Sequence, residues 1–185
     1  MKPIDRFIQK LRINRAKKYI PKNSRLLDIG CADGALFQQA HEKIREGIGV
    51  DPGIPNGSKW GNFQLVRGSF PGDLPVEEVD FDVVTMLAVL EHIPMQEQSL
   101  LAQNIFKHLK GNGILIVSVP SPFVDKILNF LLFLRLIDGM SLEEHFGFHV
   151  ETTIDTFTKQ GFEVVRHEFF QLRLNNLFVF RKPLL

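Results

Sequence analysis

The stretch that most constrains the fold is Leu26-Leu27-Asp28-Ile29-Gly30-Cys31-Ala32-Asp33-Gly34. Apolar residues run into Asp28, two glycines bracket a tight turn, and a helical pattern, Leu36-Phe37-Gln38-Gln39-Ala40, begins directly after it. This order predicts a first parallel strand, a glycine-containing loop and a helix start, which together make a ready site for the polar head of a ligand.

The dinucleotide fingerprint G-x-G-x-x-G requires glycine at 30, 32 and 35, whereas positions 32 and 35 are Ala32 and Ala35. Charge separates the alternatives further. Asp28 precedes the turn and Asp33 lies inside it, so a pyrophosphate is repelled here and a ligand bearing an ammonium and a sulfonium is attracted. S-adenosylmethionine suits the loop better than NAD.

At this point the chain resembles the class I S-adenosylmethionine-dependent methyltransferases. The resemblance rests on residues 27–34, on Gly49-Val50-Asp51, on Phe81-Asp82-Val83-Val84 running to Leu90-Glu91-His92-Ile93, and on Leu109-Lys110-Gly111-Asn112-Gly113 before a strand. It covers residues 24–182 and implies an α/β fold. That fold is a doubly wound, seven-stranded, mostly parallel Rossmann-like sheet with its last strand antiparallel and helices on both faces.

Length and composition fit one such domain. A chain of 185 residues buries about 70% of the surface its unfolded form exposes. An apolar fraction of 44% against 23% charged excludes disordered and collagen-like classes. With a net charge of +1 there is no global pull toward nucleic acid. The opening is nevertheless basic: Lys2, Arg6, Lys10, Arg12, Arg15, Lys17, Lys18, Lys22 and Arg25 face only Asp5. Such a run reads as a solvated helix face, or as a docking surface for an acidic substrate, RNA or a membrane. Cys31 is the only cysteine, so no intramolecular disulfide forms and no cysteine-rich metal site exists. The N-terminus lacks the apolar core of a signal peptide, and a cytoplasmic location is the default expectation.

In chain order, Ile4, Phe7, Ile8 and Leu11 at i, i+3, i+4, i+7, then Ala16, Tyr19 and Ile20, predict an amphipathic helix over 1–22 that Pro21 ends. It is expected to cover the sheet edge or lid the cofactor mouth. The cofactor half spans 24–120. Its strands are predicted at 25–29, 47–51, 63–67, 81–87 and 114–119, with helices from the glycine turn to about residue 44 and over 96–109. Leu100, Leu101, Ile105 and Leu109 of the second helix are expected to face the sheet. Residues 52–62 carry too many breakers for a crossover helix and are expected to form a loop with Trp60 packed beneath. Asp51 follows Gly30 by 21 residues, near the spacing at which an acidic residue accepts bonds from both ribose hydroxyls.

The resemblance assigns further cofactor contacts to Gly30, Cys31, Ala32 and Gly34 of the loop and to the backbone of Met86 and Leu87. Pro52 and Ile54 are expected near the adenine. Ser69 stands where many family members carry an aspartate for the adenine amino group, and Phe70 is expected to stack on the base. Glu91 and His92 are expected beside the substrate mouth.

Residues 121–149 contain the most apolar passage, 123–137, too short and too polar for a membrane span. A lid helix is expected there, implying an apolar acceptor pocket or a homodimer surface. His145 and His149 stand four apart, but Gly147 favours a loop, and no metal site is assigned. In the small-molecule methyltransferases that the chain resembles, a histidine before the last helix lies close to the substrate, which makes His145 the first candidate for a base and His92 the second. Residues 150–185 are expected to supply a closing helix and two antiparallel strands. The expected activity is methyl transfer to a small, apolar molecule. An RNA or protein methyltransferase using the basic helix, or a non-catalytic S-adenosylmethionine-binding scaffold, is the alternative.

Overall fold

The computed structural model describes residues 3–55, 59–75, 79–121 and 150–184. The strands are β1 (Ser24–Ile29), β2 (Ile44–Asp51), β3 (Lys59–Trp60), β4 (Phe63–Arg67), β5 (Phe81–Leu87), β6 (Leu109–Pro120), β7 (Glu163–Phe170) and β8 (Asn175–Arg181). They form one sheet in the order β3-β4-β2-β1-β5-β6-β8-β7. β4, β2, β1, β5 and β6 are mutually parallel, and β8 runs antiparallel to both β6 and β7.

The parallel strands alternate sides, and this alternation builds two cores. Leu27, Val84, Leu115 and Val117 enter the core shared with Leu101, Ala102 and Ile105 of α3 (Met95–His108) and Phe157 of α4 (Thr152–Thr158). Leu26, Val83 and Ile116 point the other way, against Ile13, Ala16 and Ile20 and against Leu36, Phe37 and Ala40. The latter residues belong to α1 (Pro3–Ala16), the chain just beyond it, and α2 (Ala35–Ala40). Helices therefore cover both faces, as expected. Each fully buried leucine or valine contributes about 1.5 to 3 kcal/mol.

Several expectations are corrected. The sheet has eight strands, because the breaker-rich crossover doubles back and Lys59–Trp60 pairs antiparallel with β4. The crossover is thus free of helix in its described residues, but Trp60 is 55% exposed with its ring against Phe63 at 5.3 Å, not packed beneath. α2 stops at Ala40 rather than near residue 44, since Ile44 is already paired with Ser24 in the sheet. β6 begins at Leu109, so residues 110–113 extend a strand. Leu100 is 61% exposed, whereas Leu101, Ile105 and Leu109 are buried. In α1 the opening apolar spacing misleads: Phe7 and Leu11 are exposed, and the buried face is Ile13 and Ala16, continued by Ile20 just beyond the helix.

Polar contacts seat α1 along the carboxyl end of the sheet. Arg15 grips Glu168 of β7 through Nη2 at 2.7 Å and Nε at 2.5 Å. Gln171, in the turn between β7 and β8, donates to the Ile8 carbonyl at 3.2 Å. Gln9 donates to Asp33 of the glycine loop at 3.1 Å. The apolar passage 123–137, His145 and His149 lie outside the described residues.

Candidate active site

The carboxyl ends of β1, β2, β4 and β5 meet around residues 30–34, where an open α/β sheet binds its ligands. Gly30 has φ +74°, and a Cβ there would stand 2.3 Å from Val89 Cγ2, so both conformation and space demand glycine. Its N–H donates to Val50 O at 2.8 Å. Ala32 takes φ +45°, a left-handed residue other than glycine. It is held there by Asp51, whose Oδ2 accepts the Ala32 N–H at 2.9 Å while Oδ1 accepts that of Gly53 at 2.7 Å. The Asp51 carboxylate thus stands at the end of β2 facing the loop.

Asp28 is buried at 4% exposure, and its Oδ1 accepts the Thr85 hydroxyl at 2.6 Å across the β1–β5 pairing. Burial raises its pKa to about 7; the Thr85 bond opposes the rise and the Asp51 charge adds to it. Asp33 turns elsewhere, taking Gln9 and the Ala35 N–H. Cys31 is buried, with Gly49 leaving room for it: a Cβ at 49 would meet the Cys31 sulfur at 2.7 Å. Burial and then the Asp28 and Asp51 charges push its thiol upward, away from nucleophilic use.

Beyond β5, Ala88 has φ +59° and donates to Ser118 O at 2.9 Å, redirecting the chain into the 3-10 turn Leu90–His92. Glu91 is buried at 3% exposure, and its Oε2 has no hydrogen-bond partner among the described residues. Burial raises Glu91 to about 7, with a backbone N–H and the Arg12 guanidinium of α1 pulling the other way. Arg12 is lowered by its own burial, against the pull of Glu91. α1 therefore reaches the mouth with a cation as well as with Gln9.

Of the candidate residues, Asp28, Gly30, Cys31, Ala32, Gly34 and Asp51 come together around one loop. Met86 sits beside Ile29 in the sheet with its side chain wholly buried, so its contribution to the site is backbone; Leu87 follows, paired with Ser118. Pro52 is exposed and Ile54 is buried. Ser69 follows Gly68, whose N–H bonds Asp51 O at 3.2 Å, and its own N–H is taken by Asp73 at 2.8 Å. The Phe70 ring stands edge-on to His108 of α3 at 5.0 Å. His92 is half-buried in the turn beside Glu91. Thr85, Arg12 and Asp73 were not foreseen. The lone hydroxyl within the apolar stretch Val83–Leu87 of β5 was the available signal for Thr85; the other two are tertiary coincidences.

The donor set fits S-adenosylmethionine. A positive charge beside Asp28 favours its carboxylate, which burial alone disfavours, and Asp51 presents an acceptor at the strand end. A pyrophosphate would raise the Asp28 carboxyl further.

Comparison with known proteins agrees. The methyltransferase domain family model matches residues 4–167. The chain is 28% identical over 131 residues to a carboxy-S-adenosyl-L-methionine synthase of Histophilus somni (strain 2336), covering 63% of this chain and 53% of that protein, so it spans about half the length of the curated relatives it matches. Among solved structures, N-methyltransferase NodS from Bradyrhizobium japonicum WM9 shares the fold with TM-score 0.69 at 17% identity over 98% of each chain. Its complex with S-adenosyl-l-homocysteine gives 0.68 at 18%, covering 99% of this chain and 89% of that one. By sequence and fold together, the chain belongs to the methyltransferase domain family, of the class I S-adenosylmethionine-dependent type.

Proposed function

We propose that this domain transfers the methyl group of S-adenosylmethionine to a small, apolar acceptor by in-line displacement. The observation that carries the reading is the pair of carboxyl groups around one left-handed loop: Asp28 on Thr85, and Asp51 on the N–H groups of Ala32 and Gly53. The bound cofactor supplies an already activated methyl group, so the protein's share is alignment and exclusion of water.

In this reading Asp51 accepts the ribose hydroxyls, and Asp28 balances the positive end with help from the Met86 and Leu87 backbone. Ser69 takes the adenine edge, beside Pro52 and Phe70. Glu91 and His92 line the acceptor side. An oxygen acceptor needs its proton removed, which a histidine near neutral pH can do; His92 and His145 are the candidates. The apolar composition of 123–137 supports an apolar acceptor. Internal use of Arg15, Lys17 and Lys43 weighs against an RNA surface, since their head groups already bond Glu168, Glu42 and backbone carbonyls.

Calorimetry with S-adenosylmethionine, repeated on Asp51→Ala, tests the site: binding lost with Asp51 is expected, and equal heats for both proteins would end the assignment. Replacing His92 and His145 singly with alanine tests the base; unchanged turnover in both removes it. The name of the curated relatives supplies a second reading, formation of a carboxylated cofactor. Mass spectrometry of the spent cofactor separates them, giving S-adenosylhomocysteine for methyl transfer and a heavier sulfonium otherwise.

A further inference from the structure

We infer that the outer stripe of α1 and the tip of the β7–β8 hairpin dock this chain onto an anionic lipid bilayer surface. The inference concerns a surface distinct from the cofactor site and does not depend on the proposed reaction.

The stripe is a matter of helical spacing. Arg6 and Lys10, Phe7 and Leu11, and then Asn14 are all exposed, with Phe7, Leu11 and Asn14 on the side opposite Ile13 and Ala16 and the two cations flanking them. Phe7 is 60% exposed and Leu11 36%. Asp5, the acidic residue of α1, is half-buried off this stripe. The neighbouring cations Arg15 and Lys17 are occupied by Glu168 and Glu42, whereas among the described residues no ion pair engages Arg6, Lys10 or Lys18.

The hairpin extends the patch. The Gln171 bond to the Ile8 carbonyl brings the tip against the residue next to Phe7. There Leu172 is 95% exposed, between Gln171 and Arg173, and the three take φ of 50°, 56° and 67°. That backbone region is one that residues other than glycine, asparagine and aspartate rarely occupy, and here it holds a leucine outward. Cations interleaved with exposed phenylalanine and leucine match anionic headgroups over acyl chains. A nucleic acid would use the cations and leave Leu11 and Leu172 without a role. The same helix reaches the loop through Gln9 and lies near Glu91 through Arg12, both on the side of α1 away from the stripe.

The test is co-sedimentation of the intact chain, without cofactor or acceptor, with vesicles of phosphatidylcholine alone or mixed with phosphatidylserine. Partitioning onto the mixed vesicles is expected to exceed that onto the neutral ones by about tenfold or more and to fall as salt is raised. The double variant Arg6→Glu, Lys10→Glu should lose about tenfold or more of this binding, and Leu172→Ser several-fold. All three positions are exposed, so thermal midpoints and S-adenosylmethionine heats should stay at the wild-type values. Absence of wild-type partitioning, or partitioning unchanged by the charge reversals, would overturn the inference. So would a single-stranded RNA probe that displaces the vesicles while Leu172→Ser binds like wild type. None of these results bears on the cofactor site, whose own test is calorimetric.

Discussion

Asp28→Asn separates the stability of this fold from its use of a cationic ligand. Asn keeps the Oδ1 acceptor that Thr85 Oγ1 engages at 2.6 Å, so the side-chain geometry is retained while the titration is removed. A buried carboxyl raised from its ordinary value of 3.8 to about 7 corresponds to about 4 kcal/mol between its two protonation states. The sign follows from the direction of the shift. The folded state holds the proton more tightly than the unfolded state, so stability is fully present below the ordinary pKa and declines as pH rises to about 7, where it levels off. Between about pH 5.5 and 7 the wild-type chain should therefore lose about 2 kcal/mol that Asp28→Asn retains. Glu91 contributes a parallel decline in both proteins and drops out of the difference. Urea denaturation across this pH range measures the effect in the ligand-free chain. Calorimetry with S-adenosylmethionine measures the counterpart: wild-type affinity should rise through pH 7 as the carboxylate forms, and Asp28→Asn should bind more weakly with little pH dependence. Identical pH slopes for the two proteins in urea would refute the argument, because the titrating group would then lie elsewhere.

Gly30→Ala meets both a left-handed φ and the Val89 side chain, and should cost about 2 to 4 kcal/mol in urea denaturation; a change within error would mean that the loop relaxes freely. On α3, Leu101→Ala should cost about 2 to 5 kcal/mol while Leu100→Ala costs about 0.5 or less, a contrast that thermal melts would reverse if the helix were turned by one residue. Arg15→Met removes the nearer cation from the mostly buried Glu168 carboxylate, leaving Arg166 at 3.9 Å, and should destabilise by about 1 to 3 kcal/mol, with Glu168→Gln in the same chain recovering part of the loss in a double-mutant cycle.

Much of the site was legible because its chemistry is local. The glycine turn, Asp28 two residues before it and Asp51 at the end of the next strand occupy fixed places in one βαβ unit, so their spacing predicts their neighbourhood. The strands at 63–67 and 81–87 were legible to the residue because short, mainly apolar, β-branched and aromatic runs bounded by turn residues leave few alternatives. Phe7, Leu11 and Leu100 were misread for a common reason: helical spacing identifies an apolar stripe but not whether sheet lies opposite it. The sheet covers α1 along Ile13 and Ala16, and α3 along Leu101, Ala102 and Ile105.

Sequence by itself determined the α/β class, the strand–turn–helix unit around residues 26–40 and the acidic character of the loop, since each follows from residues close together in the chain. Only the tertiary structure decided that Asp28 meets Thr85, that Arg12 lies near Glu91, and that a basic and apolar stripe is left facing outward. These depend on which elements the sheet brings side by side, across separations that no local pattern encodes.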